Sequence, residues 1–146
     1  MEDTFSLHGY VKVELVDQFG LVVDSVEGHN MVVTSGGTLA VARLAGTSKA
    51  ALSHIGIGTG AVAAAVGDVA LGAQAARVAF DSAGVLSTNT VMYYSTFAAG
   101  TGTGTITEAG LFNAASSGDM FSRIVFRPMT KAASLVMVVK WIITAV

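Results

Sequence analysis

The chain is 146 residues long, 52% apolar and only 12% charged, has a net charge of −2 and contains no cysteine. Disulfides and thiolate metal sites are therefore excluded, and Arg77, Arg123, Arg127 and Lys140 are too dispersed for the basic stripe of a nucleic-acid binder. A single domain is expected, with so few charges that part of its apolar surface should be hidden between subunits.

Residues 1–27 hold six acids (Glu2, Asp3, Glu14, Asp17, Asp24, Glu27) against Lys12, a balance of −5, while residues 28–146 hold seven bases against four acids, a balance of +3. The first segment reads as an acidic N-terminal hairpin or arm, Gly9–Val16 and Leu21–Glu27 turning at Asp17-Gln18-Phe19-Gly20. Its alternation sends Val11, Val13 and Leu15 inward and Tyr10, Lys12, Glu14 and Val16 outward. Its deletion should leave the fold mostly intact. Met1-Glu2-Asp3-Thr4 is acidic where a secretory leader is basic, so no leader is expected.

After Met31-Val32-Val33 comes one short α-helix, about residues 35–45, with Thr34 or Ser35 as the cap and Gly46 as the stop. His54-Ile55-Gly56-Ile57-Gly58-Thr59-Gly60 reads as a short strand running into a glycine-rich loop. Ala61–Gly72 is an extended loop with at most one helical turn, because Gly60, Gly67 and Gly72 each weaken a helix by about 1 kcal/mol. A strand resumes at Ala75–Phe80, and a turn is expected at Ser82-Ala83-Gly84.

The C-terminal half reads as four long strands, Leu86–Ala98, Thr105–Ala114, Met120–Arg127 and Leu135–Val146. They are separated by Ala99–Gly104, Ser116–Asp119 and the loop Pro128–Ser134. Leu135–Val146 is interrupted by Lys140 and too short for a membrane helix, which needs about 20 residues. Strands at this spacing predict an all-β fold, an antiparallel β-sandwich of two sheets with one short helix, spanning residues 1–146.

Motifs for chemistry are sparse. Gly56-Ile57-Gly58-Thr59-Gly60 falls short of G-x-G-x-x-G, which needs glycine at Ala61 and a following helix; glycines that permit close backbone approach account for it. His8, His29 and His54 are scattered, without a carboxylate in a recognisable spacing, so His54 is assigned a hydrogen-bonded structural role and His29 a local one. Glu108 stands out because it shares a face with Ile106 and Phe112, both expected inward. A buried carboxylate must be paired or neutralised, so a structural ion pair with Arg77 or Arg123 is expected. Tyr10, Tyr93, Tyr94 and Trp141 are the aromatic residues available for a recognition platform, and Tyr93, Tyr94 and Trp141 are the candidate interface residues.

Several of these segments, in order, carry a resemblance. They are Asn30-Met31-Val32-Val33-Thr34-Ser35-Gly36-Gly37, His54–Gly60, Ala70–Arg77, Asn89–Phe97, Ile106–Asn113, Gly118–Arg123 and Lys140-Trp141-Ile142-Ile143. The series, from about residue 29 onward, resembles a group of small virion structural proteins of tailed bacteriophages, of the tail-fibre, baseplate-associated or capsid-decoration type. The resemblance implies a non-enzymatic subunit without cofactor, catalytic residue or metal, located on the virion and assembled in the host cytoplasm. Its expected partners are itself, as a homotrimer, and other virion proteins of the tail, baseplate or capsid; nucleic acid and membrane are not expected. Capsid decoration is the first alternative, and a host-receptor or glycan-binding module the second.

Overall fold

The computed structural model describes residues 4–146, so Glu2 and Asp3 of the acidic segment lie outside the described residues. The chain runs β1 (Leu7–Val16), β2 (Val22–His29), β3 (Met31–Val32), α1 (Thr34–Leu44), β4 (His54–Gly58), β5 (Gln74–Ala79), β6 (Ser82–Ser87), β7 (Thr90–Phe97), β8 (Gly104–Phe112), β9 (Met120–Lys131) and β10 (Val136–Ala145). The strands form two five-stranded antiparallel sheets, ordered β2-β1-β10-β7-β6 and β3-β9-β8-β4-β5. This is an all-β sandwich with one short helix.

The pleat explains the core. In the first sheet Val11, Val13 and Leu15 of β1 lie beside Trp141, Val139 and Met137 of β10, in register and buried. They pack against Ile55, Ile57, Ile106, Ala109, Leu111 and Met129 of the second sheet. Because side chains alternate every residue, Tyr10, Lys12, Glu14, Lys140 and Ile142 are left on the outer face.

The first hairpin is therefore no separable arm. β1 sits between β2 and β10, and its three inward side chains belong to the main core. Glu14 and Glu27 lie on its outer face and Asp17 in its turn, whereas Asp24, in register with Leu15, sits at the sheet edge on the inner side and pairs with Arg127 of β9.

Two further expectations give way to backbone detail. Leu86–Ala98 is not one strand but parts of β6 and β7, a hairpin turning at Thr88-Asn89, and Ser82-Ala83-Gly84 belongs to β6 instead of forming a turn. The stretch expected as a loop from Pro128 instead continues β9 to Lys131. Proline survives there because register is lost locally: Ile106 faces Met129 whereas Glu108 faces Val125, which leaves Pro128 in a bulge where no ladder N–H is required. Lys131 is fully buried and donates from Nζ to the carbonyls of Ala98 (2.9 Å) and Leu135 (2.8 Å), tying together the loops at that end.

The helix ends at Gly46 as expected, in a left-handed conformation (φ 68°) that suits glycine. Its start differs. The N-cap is Val33, without a side-chain cap, and Ser35 Oγ instead donates to the Met120 carbonyl at 2.6 Å. The Thr34 N–H donates to the Val66 carbonyl, so a distant loop satisfies one of the free donors of the first turn. α1 packs on β9, with Leu39 entering the core beside Phe121.

Candidate functional site

The most ordered chemistry in the molecule lies on the outer face of the second sheet, under the long segment 59–73 that joins β4 to β5. The irregularity between Ile106 and Glu108 decides which side chains point there. Ile106, Ala109 and Leu111 face the main core, whereas Phe112 joins a second cluster with Val33, Leu71 and Met120. The expected common face of Ile106, Glu108 and Phe112 is thus divided, with Glu108 and Phe112 outward beneath the 59–73 segment.

Glu108 is completely buried, and its two oxygens accept four hydrogen bonds and make one further ion-pair contact. Oε1 receives the N–H groups of Gly60 (2.9 Å) and Ala73 (2.8 Å). Oε2 receives the Gly72 N–H (2.9 Å) and the Arg123 guanidinium, through Nε (2.9 Å) and Nη2 (2.8 Å). Arg123 extends the network, donating from Nη1 to Asp68 Oδ2 (2.9 Å) and from Nη2 to the Val62 carbonyl (3.0 Å). Thr107 Oγ1 donates to the Gly60 carbonyl at 2.8 Å. One carboxylate and one guanidinium therefore hold both ends and the middle of a segment that has no regular structure of its own.

The electrostatics follow from these partners. Burial acts to raise the Glu108 pKa, but hydrogen bonds from the Ala73 and Gly72 N–H groups, the Arg123 side chain and the Gly60 N–H outweigh it and hold the carboxyl below its ordinary value. The Ala65 N–H holds Asp68 low, and Arg123, through its hydrogen bond and charge, adds to this against the opposing effect of burial. With every lone-pair direction of Glu108 occupied, the carboxylate acts as a staple for backbone and not as a proton donor in a cleft.

The glycines of the supposed fingerprint have their reason here. A Cβ on Gly58 would meet the Ala73 carbonyl and stand 2.6 Å from Glu108 Oε1, and one on Gly60 would also strike the Glu108 carboxylate. A Cβ on Gly56 would touch the Phe112 ring at 3.0 Å. The repeat clears a groove for the carboxylate and for the returning chain. Gly58→Ala is accordingly expected to lower stability by about 1–3 kcal/mol, as overpacking does, measurable as a drop in chemical-denaturation midpoint.

Of the two arginines expected near Glu108, only Arg123 is its partner. Arg77 lies with its guanidinium carbon 3.5 Å from the centre of the Phe112 ring and donates to Gln74 Oε1 and to the carbonyls of Ala114 and Ser117. β5 is at the sheet edge, two strands from β8, which directs Arg77 to the β8–β9 turn. Among the candidate interface residues, Trp141 is fully buried in the main core and Tyr93 stacks on Phe80 with ring centres 4.7 Å apart. Both point inward because Lys140 and Tyr94, their neighbours in the chain and each other's partners in register, point outward. Only Tyr94 remains on an outer face.

The histidines are held separately. His8 Nε2 contacts Ser6 Oγ, His29 packs edge-on against Tyr10, and His54 Nδ1 contacts Ser53 Oγ. Burial, then the Arg77 charge, lower the His54 pKa. Among the described residues no group of three His, Cys, Asp or Glu side chains is placed to hold a metal ion. An open groove of about 410 Å³ beside α1 includes Asp68 and Asp119, but each is already paired, with Arg123 and Lys49 respectively.

Gly60, Gly72 and Ala73 as donors to Glu108, and Asp68 and Thr107 as outer members of its network, were not legible in the sequence. The available signal was a lone carboxylate on an apolar strand together with an alternating-glycine strand, two features whose pairing only a sheet register reveals. No family model matches the chain, and no curated protein and no solved structure matches it.

Proposed function

We propose that the chain is a non-enzymatic structural subunit of a tailed-phage virion, self-associating and attached to the particle surface as a tail-fibre or baseplate-associated component, with a trimer as its assembly symmetry. The observation that carries this reading is the exposed surface. Thirteen large apolar side chains among the described residues are more than half exposed, on a protein with 18 acidic and basic residues in all.

These side chains are grouped. Phe5, Val41 and Leu44 flank an apolar groove of about 430 Å³ between the N-terminal segment and α1. Phe19, Leu21, Val22 and Val23 occupy the tip of the first hairpin, Val62, Val66 and Val69 the stapled segment, and Val85 and Leu86 the edge strand β6. Contiguous apolar surface of this kind marks interaction sites. The Glu108–Arg123 staple supports the same reading, since it makes a fixed shape of a segment carrying three exposed valines. A glycan-binding platform has less support, because Trp141 and Tyr93 face the core.

Sedimentation velocity at micromolar concentration tests the self-association, with an oligomer expected. A monodisperse monomer would overturn it. Peptides of this chain are expected at structural copy number in purified particles of the phage that encodes it, and their absence would overturn the virion assignment.

A further inference from the structure

The four sheet edges are treated differently. β3 is only two residues long. β2 carries Asp24 and Glu27, and Arg127 from β9 reaches across to Asp24 and to the Ser25 carbonyl. β5 carries Arg77, and its Ala79 carbonyl accepts from Ser95 Oγ. Shortness, charge and covering side chains are the usual protections against edge pairing. β6, Ser82-Ala83-Gly84-Val85-Leu86-Ser87, has none of these three, and its one irregularity is a bulge between Val85 and Ser87 that leaves Ser82–Val85 regular. It is uncharged, contains no proline, is exposed along its whole length and pairs only with β7. Val85 and Leu86 are 76% and 55% exposed.

We propose that β6 is the self-association edge, pairing antiparallel with β6 of a second copy about a two-fold axis at Gly84, so that two five-stranded sheets become one. This rests on the self-association proposed above and names its surface. The occupant is a second copy because the strand complements itself in that register. Opposed residues in an antiparallel pair share a face, and a two-fold normal to the sheet makes their numbers sum to twice that of the axial residue.

Ala83 then opposes Val85 of the partner copy, small against large, within the regular stretch that precedes the bulge. Gly84 opposes Gly84 at the axis itself. Asp81, the nearest charge, lies three residues from the axis and so does not oppose its own copy. The contact is isologous, so it gives dimers, and a trimer linked through it gives a hexamer.

Gly84→Cys tests the register directly, because the chain has no other cysteine and a Cβ at Gly84 meets nothing within 4 Å. Opposed Cα atoms lie about 4.5–5.5 Å apart in antiparallel pairs, within disulfide reach. Under mild oxidation a disulfide-linked dimer is expected from Gly84→Cys and not from Val62→Cys on the exposed 59–73 segment. Val85→Lys should keep the wild-type melting midpoint and weaken self-association at least tenfold in sedimentation equilibrium.

A wild-type oligomer that neither cross-links through position 84 nor responds to Val85→Lys overturns the edge assignment and leaves self-association standing, whereas a wild-type monomer removes both. Cross-linking of Gly84→Cys only to a different polypeptide in an infected lysate overturns self-pairing.

Discussion

Replacing Glu108 by alanine is expected to destabilise the protein by about 3–5 kcal/mol, the range found when one member of a buried ion pair is removed. The substitution leaves the Arg123 guanidinium buried with only Asp68 as a counter-charge and strips the N–H groups of Gly60, Gly72 and Ala73 of their acceptors. That is a large fraction of the roughly 5–15 kcal/mol by which a domain of this kind is stable. Urea unfolding followed by circular dichroism measures it. An unchanged midpoint would show that the staple contributes nothing.

Glu108→Gln separates charge from shape, since it fits the same space yet must turn an NH2 toward the donors of Gly72 or Gly60, and it should lose most of the same stability. The double variant Glu108→Leu with Arg123→Met should lose less than the sum of the two single changes, because the second removes the charge that the first leaves uncompensated. The pH dependence has a definite sign. The folded-state pKa of Glu108 lies below the ordinary carboxylate value of 4.5, so its stabilisation is fully present above that value. It is lost as the pH falls through the folded-state pKa, when the carboxylate must take up a proton. Glu108→Gln should flatten that acid limb.

Deleting residues 1–27 should abolish folding. The deletion removes β1, an internal strand, and with it Val11, Val13 and Leu15, each buried to within 2% of complete. Burying such side chains is worth about 1.5–3 kcal/mol apiece. The loss also bares the β10 ladder and one side of Trp141, which then face water or another chain. A cooperative melting transition in the truncated protein would refute this. A milder variant, Val13→Asp, should unfold the protein for the same reason without altering its length, because it places an unpaired charge in the core.

The acidic character of that segment concealed its role. Charge counted along a stretch of chain records what a strand shows to water, whereas its contribution to the core depends on alternate positions. Val11, Val13 and Leu15 were readable as inward residues, yet the number of neighbours their strand would have was not. Trp141 and Tyr93 illustrate the same gap from the other side. Their strands were recognised, but whether an aromatic faces core or partner depends on the face to which its neighbours Lys140 and Tyr94 are assigned.

What the amino-acid order determined by itself is the set of local features: an all-β class, most strand positions, the inward residues of β1, and the single helix with its glycine stop. These follow from periodicity, propensity and turn chemistry, all of which act over a few residues. The tertiary structure alone decided that Arg123 and not Arg77 answers Glu108, that the glycines at 58 and 60 open a groove for that carboxylate, and that β6 is left at an unguarded edge. Each depends on register between strands far apart in the chain, where one bulge turns a side chain to the opposite face, and no local pattern encodes that choice.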